Sequence, residues 1–252
     1  MKAGDIYPTI HGDTVTVVKY EGSMRVTIEF NDNYKHRQVF QSDRVRKGGM
    51  KNPYKPSVYG VGFLGVGKYK AQINGKMTKH YTIWKAMMSR CYHEKSHKYR
   101  PTYVGCTVCP DWHNYQNFAI WYDNRVVQGV DLDLDKDLLV VGNKIYSPET
   151  CVLVPTKINN LIKGGQNRSS NLPVGVSVDK DTGRFKSAMK IDGVERYFGM
   201  YACPIEAGDV YAENKEEAVK ERALEYKGLI ESRAFDALRN FNIKERDLHK
   251  NG

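Results

Sequence analysis

The chain of 252 residues carries a formal net charge of +10 at pH 7 and has a pI near 9.2. Its length suits one large domain or two to three small ones. No apolar run reaches the roughly 18 residues of a membrane span, and the N-terminal stretch lacks the apolar segment of a signal peptide. We therefore expect a soluble, cytoplasmic protein without a membrane partner, and the charge favours a polyanionic partner.

The positive charge is concentrated in two stretches without any acidic residue, 44–93 and 150–178. The second stretch carries Lys157, Lys163 and Arg168. Such surfaces gain affinity for phosphate backbones by releasing counterions. The alternative is a solvated basic face that has no partner.

Residues 1–48 predict a small β-module. Three segments, at 11–20, 24–32 and 34–42, alternate in polarity and are rich in Val, Thr, Ile and Phe. The pattern favours an SH3-like barrel. The module could dock a nucleic acid or a protein, or its role could be purely structural.

Residues 49–80 begin as a basic linker and end in a hairpin predicted at Asn74-Gly75. The glycines between 60 and 67 match a dinucleotide fingerprint and part of a phosphate loop. The flanking strand and helix are missing, however, and Tyr69 stands where a phosphate loop needs Ser or Thr. We interpret them as turn glycines.

Two helices are predicted before residue 130. The first covers 82–92, where Trp84, Met87, Met88 and Cys91 recur at helical spacing and form an apolar stripe. The second covers 114–121. Both stripes indicate core packing.

Residues 131–160 have the pattern of a small metal-binding unit. Four carboxylates at the strand period share one face of a predicted strand: Asp131, Asp133, Asp135 and Asp137. A loop with Asn143, an apolar run at 151–154 and a helix starting near Thr156 and ending at Gly164 follow. An EF-hand is excluded, because the sixth position from Asp131 is Lys136 where a calcium loop needs Gly, and the twelfth is Gly142 where it needs Glu.

In the order and spacing of its residues, this segment resembles the degenerate HNH (ββα-metal) unit of phage and mobile-element homing endonucleases. The matching parts are 134–136, then 143–151, then Asn159 and Asn160. In that family the first strand ends in a His that activates water, and a divalent metal lies between strand and helix. Here Asp135 stands in the place of the His, and Thr150 in that of the central Asn.

The resemblance implies that Asp135, helped by Asp133, and Asn159 hold Mg²⁺ or Mn²⁺ and position water, with Asn143 as the orienting amide. A carboxylate is a weaker base than imidazole near neutrality, so metal binding survives this substitution better than catalysis. His93, His97 or His113 could supply an imidazole from elsewhere in the fold. Solvated aspartates on an exposed strand face are the alternative.

The same family resemblance extends to Arg90-Cys91-Tyr92, to a segment around Cys109 and to Cys151. Cys106 and Cys109 also form a C-x-x-C pair. A structural Zn²⁺ would take its ligands from four cysteines: Cys91, Cys106, Cys109 and Cys151. Buried free cysteines are the alternative.

A polar linker at 164–171 separates a last unit, predicted over 172–238. Three strands with turns at 181–183 and 192–193 precede a helix over 213–238, with Ala218, Ala223, Leu224 and Leu229 as buried candidates. The segment at 200–214 is an insertion between the third strand and this helix.

Five elements of this unit resemble the Apetala-type (ethylene-response-factor) DNA-binding domain: Gly175-Val176, Arg184-Phe185, Ala188, Tyr197-Phe198-Gly199 and Glu216-Glu217-Ala218. The resemblance implies a sheet that enters the major groove, with Arg184, Lys186, Lys190 and Arg196 reaching bases and phosphates. Arg168 of the basic stretch is a further DNA candidate. A small α+β module without a DNA role is the alternative.

We therefore predict an α+β protein with an N-terminal β-module, an HNH-like unit over 81–164 and an Apetala-type domain over 172–238. The predicted function is metal-dependent hydrolysis of phosphodiester bonds in double-stranded DNA by a phage-type endonuclease. The alternative is a catalytically inactive HNH-like scaffold that acts as a DNA-binding regulator. An inhibitor of a host protein has no positive support in the sequence.

Overall fold

The computed structural model describes residues 1–163 and 172–243, and its fold is mixed α and β. The predicted linker at 164–171, including Arg168 and the helix stop at Gly164, lies outside the described residues. In the described ranges no helix is both long and apolar enough to cross a membrane.

The N-terminal module is an open antiparallel sheet. Its elements are β1 (Ile6–Pro8), β2 (Thr14–Tyr20), β3 (Val26–Phe30), β4 (Arg37–Phe40) and the short helix α1 (Ser42–Arg46). The strands pair in chain order, and among the described residues β1 and β4 do not pair. The sheet therefore does not close, and the predicted SH3-like barrel is not confirmed. The two outer strands are short, and Val45 of α1 is buried in the core of this module.

The segment that follows contains the predicted hairpin and helices. Its elements are β5 (Gln72–Ile73), β6 (Lys76–Met77), α2 (Lys79–Tyr92), α3 (Glu94–His97), β7 (Thr107–Val108) and α4 (Tyr115–Asp123). The hairpin at Asn74-Gly75 is confirmed, with both residues in the left-handed region that such a turn requires. Trp84 of α2 is fully buried and donates its indole N–H to the Trp112 carbonyl at 2.7 Å, which fixes α2 in the core.

The predicted order of strand, loop, strand and helix over 131–160 is confirmed. Its elements are β8 (Leu132–Asp135), β9 (Ile145–Tyr146), β10 (Val152–Pro155) and α5 (Thr156–Lys163). β8 and β10 are antiparallel, while β9 runs parallel to β7. The strand is shorter than the alternating aspartates of 131–137 predict, because β8 ends at Asp135.

The C-terminal unit contains β11 (Val176–Val178), β12 (Phe185–Ile191), β13 (Val194–Tyr201), α6 (Pro204–Leu224) and α7 (Ser232–Arg239). The three strands form the predicted antiparallel sheet in the order β11-β12-β13. The helix prediction is wrong at its start, because the supposed insertion forms the first turns of α6, and it is wrong in its continuity, because α6 ends at Leu224 and a second helix begins at Ser232. Pro204 suits a first helical turn, and Tyr211 is buried.

The break after α6 also changes which side chains are buried. Ala223 is fully buried as predicted, but Leu224 and Leu229 are each 49% exposed. Leu224 is the last residue of α6, and Leu229 lies in the connection to α7. A single helix over 213–238 would have continued the apolar stripe through both positions.

The central and C-terminal units share one apolar core, whereas the N-terminal module has its own. α6 packs on α5, and α7 packs on β10. Arg233 of α7 donates to the carbonyls of Pro148 and Glu149, at 3.2 and 2.9 Å. The C-terminal helices α6 and α7 are therefore docked on α5 and β10, which form part of the candidate site.

Candidate functional site

The candidate site lies where α5 crosses the paired strands β8 and β10. Leu134 pairs with Leu153 and Asp133 with Val154 in the antiparallel register. Ile158 and Ile162 of α5 are buried in the core, and this packing holds the neighbouring Asn159 against the strands. The local sequence thus aims a strand carboxylate and a helix amide at one point.

Asp133 and Asn159 are in direct contact. The side-chain amide of Asn159 donates to Asp133 Oδ2 at 2.9 Å, and Asn159 is fully buried. Its other polar atom, Oδ1, is buried and has no hydrogen-bond partner among the described residues. An unsatisfied buried acceptor costs roughly 1–3 kcal/mol, so this oxygen calls for a bound water or ion.

Asp135 plays a different part from Asp133. Its Oδ1 accepts the backbone N–H groups of Asp137 and Leu138, at 2.8 and 2.7 Å, and the residue is only 7% exposed. This is the turn in which an Asp side chain bonds the backbone two and three residues ahead. One carboxylate oxygen of Asp135 is therefore occupied in ending β8.

Asn143 closes the loop between β8 and β9. Its amide donates to the carbonyls of Lys136 and Ile145, at 2.9 and 2.7 Å, and its Oδ1 accepts the Ile145 N–H at 3.0 Å. The ammonium of Lys136, which is buried, bonds Asp137 Oδ1 at 2.6 Å and the Asn143 carbonyl. Both polar ends of Asn143 are thus committed to the loop.

Arg90 of α2 is a neighbour that the sequence analysis gave no role in the site. Its Nη1 donates to the Tyr146 hydroxyl at 3.4 Å. Burial lowers the pKa of Arg90, but Tyr146, Tyr103 and Asp133 outweigh burial and raise it above the usual value. The Arg-Cys-Tyr motif on α2 was the available signal, although it did not specify a contact.

The candidate imidazoles lie elsewhere. His113 Nε2 donates to the Val108 carbonyl at 3.0 Å, and His97 Nε2 donates to the Arg90 carbonyl at 2.8 Å. The ring of His93 packs 5.2 Å from that of Tyr59. Among the described residues, no histidine hydrogen-bonds the carboxylate of Asp133 or of Asp135.

The four cysteines of the predicted zinc site are free thiols. Cys91, Cys106 and Cys151 are buried and Cys109 is half-buried. Burial raises the pKa of Cys91 and of Cys151 to about 12. Across 1–163 and 172–243, no group of three or more His, Cys, Asp or Glu side chains is arranged to hold a metal ion. Structural zinc stays a prediction.

Alkylation of the native protein at about pH 8 is expected to reach exposed Cys203 long before Cys91 or Cys151. At a pKa near 12 roughly one thiol in ten thousand is ionised at that pH, and the thiolate is the reactive form. Mass spectrometry after timed iodoacetamide treatment gives the order, with urea-unfolded protein as the control. Equal native rates would contradict the burial, whereas protection lost only with a chelator would support zinc.

The predicted DNA contacts divide between the two faces of the C-terminal sheet. Lys186 and Lys190 alternate along β12 with buried Met189 and Ile191, so they project from the face opposite α6. Lys186 bonds Glu195 at 3.0 Å. Arg196 pairs with Met189 in the register, so its side chain lies on the face of the sheet that packs on α6, although it is exposed.

Arg184 and Tyr197 complete the outer face. Arg184, just before β12, is exposed and donates to the Met200 carbonyl at 2.9 Å. Tyr197 pairs with Ala188 on β12 and is 58% exposed. The outer face therefore presents three cations and an aromatic ring to solvent.

Comparisons with protein-family models, with curated proteins and with solved structures found no match to this chain.

Proposed function

We propose that this protein binds double-stranded DNA and cleaves it as a Mg²⁺- or Mn²⁺-dependent endonuclease of the ββα-metal type. The observation that carries the proposal is the contact of Asp133 with Asn159. It joins the strand and the helix of the unit and leaves the buried Asn159 Oδ1 unsatisfied. Asp133 takes the leading position in this proposal because Asp135 Oδ1 is engaged in the turn.

The donor set fits a hard divalent cation. Mg²⁺ is bound in proteins through one or two carboxylates and keeps several waters, so Asp133 with the Asn159 amide oxygen is a suitable minimal set. A cation held there would supply charge stabilisation to the oxygen that leaves during hydrolysis. The chain's own contribution is to orient the Asp133 carboxylate through the Asn159 amide.

The remaining groups account for DNA binding. The outer face of the C-terminal sheet carries Arg184, Lys186 and Lys190. The sheet packs on α6, and α6 packs on α5, which carries Asn159, so this face is joined to the candidate site through the shared core. A rigid relation of this kind is what placing one phosphodiester at a site requires.

The test is conversion of supercoiled plasmid to the nicked form by the full chain, with Mg²⁺ or Mn²⁺ and with EDTA. Nicking that needs the metal is expected. Plasmid that stays intact with either metal would overturn the endonuclease part of the proposal.

A second candidate, an inactive scaffold that binds DNA as a regulator, is favoured by two specific contacts. Asp135 Oδ1 is bound to backbone N–H groups, and His113 Nε2, an imidazole candidate, is bound to a carbonyl. Neither is poised to take a proton from water at Asp133. This candidate predicts intact plasmid together with a gel shift that weakens steeply as salt increases.

Lys190→Gln is expected to weaken duplex binding, whereas Arg196→Gln is expected to leave it near the parental value. The two variants lose the same charge, but only Lys190 leaves from the outer face. Each lost phosphate contact lowers the slope of log affinity against log salt by about 0.9. Fluorescence anisotropy across a salt series measures both slopes. An equal fall in both variants would contradict the assignment of the outer face.

A further inference from the structure

The guanidinium of Arg90 lies inside the fold without an anionic partner in contact. It is partly buried, and in the part of the chain that the structure describes no carboxylate lies within ion-pair distance of it. A guanidinium has five N–H donors, and the one side-chain hydrogen bond that it makes among the described residues is the long one to Tyr146 at 3.4 Å. Buried charges are normally paired, so this arrangement has spare capacity for an anion.

Arg90 is also held in place. Its guanidinium carbon lies 5.6 Å from the centre of the Tyr103 ring, and its backbone carbonyl accepts the His97 Nε2–H at 2.8 Å. The hydroxyl that it contacts belongs to Tyr146, which is almost fully buried on β9. Tyr103 and Tyr146 come from two separate segments and hold the guanidinium, and the hydrogen bond to Tyr146 takes one of its five N–H donors.

The shape and charge of the guanidinium indicate which anion it would take. The negative charge of Asp133 contributes to raising the pKa of Arg90 above its usual value, which keeps the guanidinium charged. A planar guanidinium matches the paired oxygens of a phosphate better than a point charge does.

We propose that Arg90 binds a phosphodiester of the DNA backbone, donating hydrogen bonds to its non-bridging oxygens. This inference rests on the proposed function for the identity of the nucleic acid. The role requires contact with the phosphate and is separate from that of the C-terminal sheet. In a cleaving enzyme the same donors would stabilise the charge that develops on the phosphate.

The test compares Arg90→Met with Arg100→Met. Arg100 is exposed and follows the same helical region, so the second variant loses the same charge at a site without these contacts. Arg90→Met is expected to lower the salt slope of duplex binding by about 0.9 relative to Arg100→Met. If the parent nicks plasmid, Arg90→Met is expected to slow nicking by about 100-fold.

The outcomes separate the two proposals. A lowered slope in Arg90→Met with a parent that does not nick plasmid keeps the phosphate contact and removes the endonuclease. Parental slope and parental nicking in Arg90→Met would overturn the phosphate contact and leave Arg90 with a packing role. Parental nicking lost in Arg90→Met but restored in part by Arg90→Lys, which keeps the charge and loses the fork, would support it.

A measurement on the parent covers the case in which Arg90→Met does not fold. The side-chain Nε–H resonance of Arg90, assigned by its absence from Arg90→Lys, is expected to shift when a short DNA duplex is added. A resonance that stays in place at saturating duplex would overturn the contact.

Discussion

Asp133→Asn is expected to reduce Mg²⁺-dependent plasmid nicking by about 100-fold or more, because a bound metal contributes several kcal/mol of charge stabilisation. The substitution keeps the shape of the side chain and an oxygen for the Asn159 amide, which now contacts Asp133 Oδ2 at 2.9 Å. It removes the negative charge that a divalent cation needs. Initial rates of nicking over a Mg²⁺ series measure the loss.

Asp135→Asn is the matched control for this experiment. It makes the same change two residues along β8 and keeps an oxygen for the Asp137 and Leu138 N–H groups. Nicking close to the parental rate is expected, with a loss of stability on the order of 1 kcal/mol from the weaker acceptor. Thermal unfolding of both variants separates stability from activity. If Asp135→Asn instead lost more nicking activity than Asp133→Asn, the metal would be bound by Asp135, as the family resemblance implied.

Local signals in the sequence were sufficient where nearby residues decide the structure. The Asn74-Gly75 hairpin follows from two residues that tolerate the left-handed conformation. Helix α2 follows from an apolar stripe whose members Trp84, Met87 and Met88 are all fully buried. The order of strand, loop, strand and helix over 131–160 was likewise predicted from local signals.

The same signals failed where distant segments decide the structure. Alternation in 131–138 could not show that β8 ends at Asp135, because the end depends on backbone N–H groups captured by that side chain. The spacing Asp-x-Asp was nevertheless a recognisable turn signal. Arg90 meets Tyr146 only through tertiary packing, so no spacing could predict this contact.

The boundaries of α6 illustrate a further limit. The segment at 204–212 has no strong apolar period, and its helix is stabilised by Tyr211 and Ala212, which pack into a core built largely by other elements. Tertiary packing often overrides weak local preference in this way. Because this packing cannot be seen in the sequence, the first turns of α6 were predicted as an insertion before the helix.

Gly175→Ala is expected to destabilise the C-terminal unit by roughly 2–5 kcal/mol, which combines left-handed strain with overpacking. Gly175 has φ +72°, and a Cβ placed there would lie 1.9 Å from the Tyr211 ring on α6. Tyr211 is buried, so its ring has little room to retreat. Urea unfolding followed by circular dichroism measures the change.

Gly183→Ala separates the two causes. Gly183 has a similar φ of +68°, but a Cβ there would meet nothing within 4 Å. Its cost should be the backbone strain alone, roughly 1–2 kcal/mol. Equal losses in the two variants would contradict the close approach of Gly175 to Tyr211.

The shared core determines how far the Gly175→Ala damage spreads. α6 packs on α5, and α5 carries Asn159, so loosening α6 also loosens the helix side of the candidate site. We expect DNA binding and any nicking to fall together, in one cooperative transition with the central unit. The N-terminal module, whose core is separate, should unfold independently of this change. Two separate transitions for the central and C-terminal units would instead mean that their contact contributes little to the stability of either.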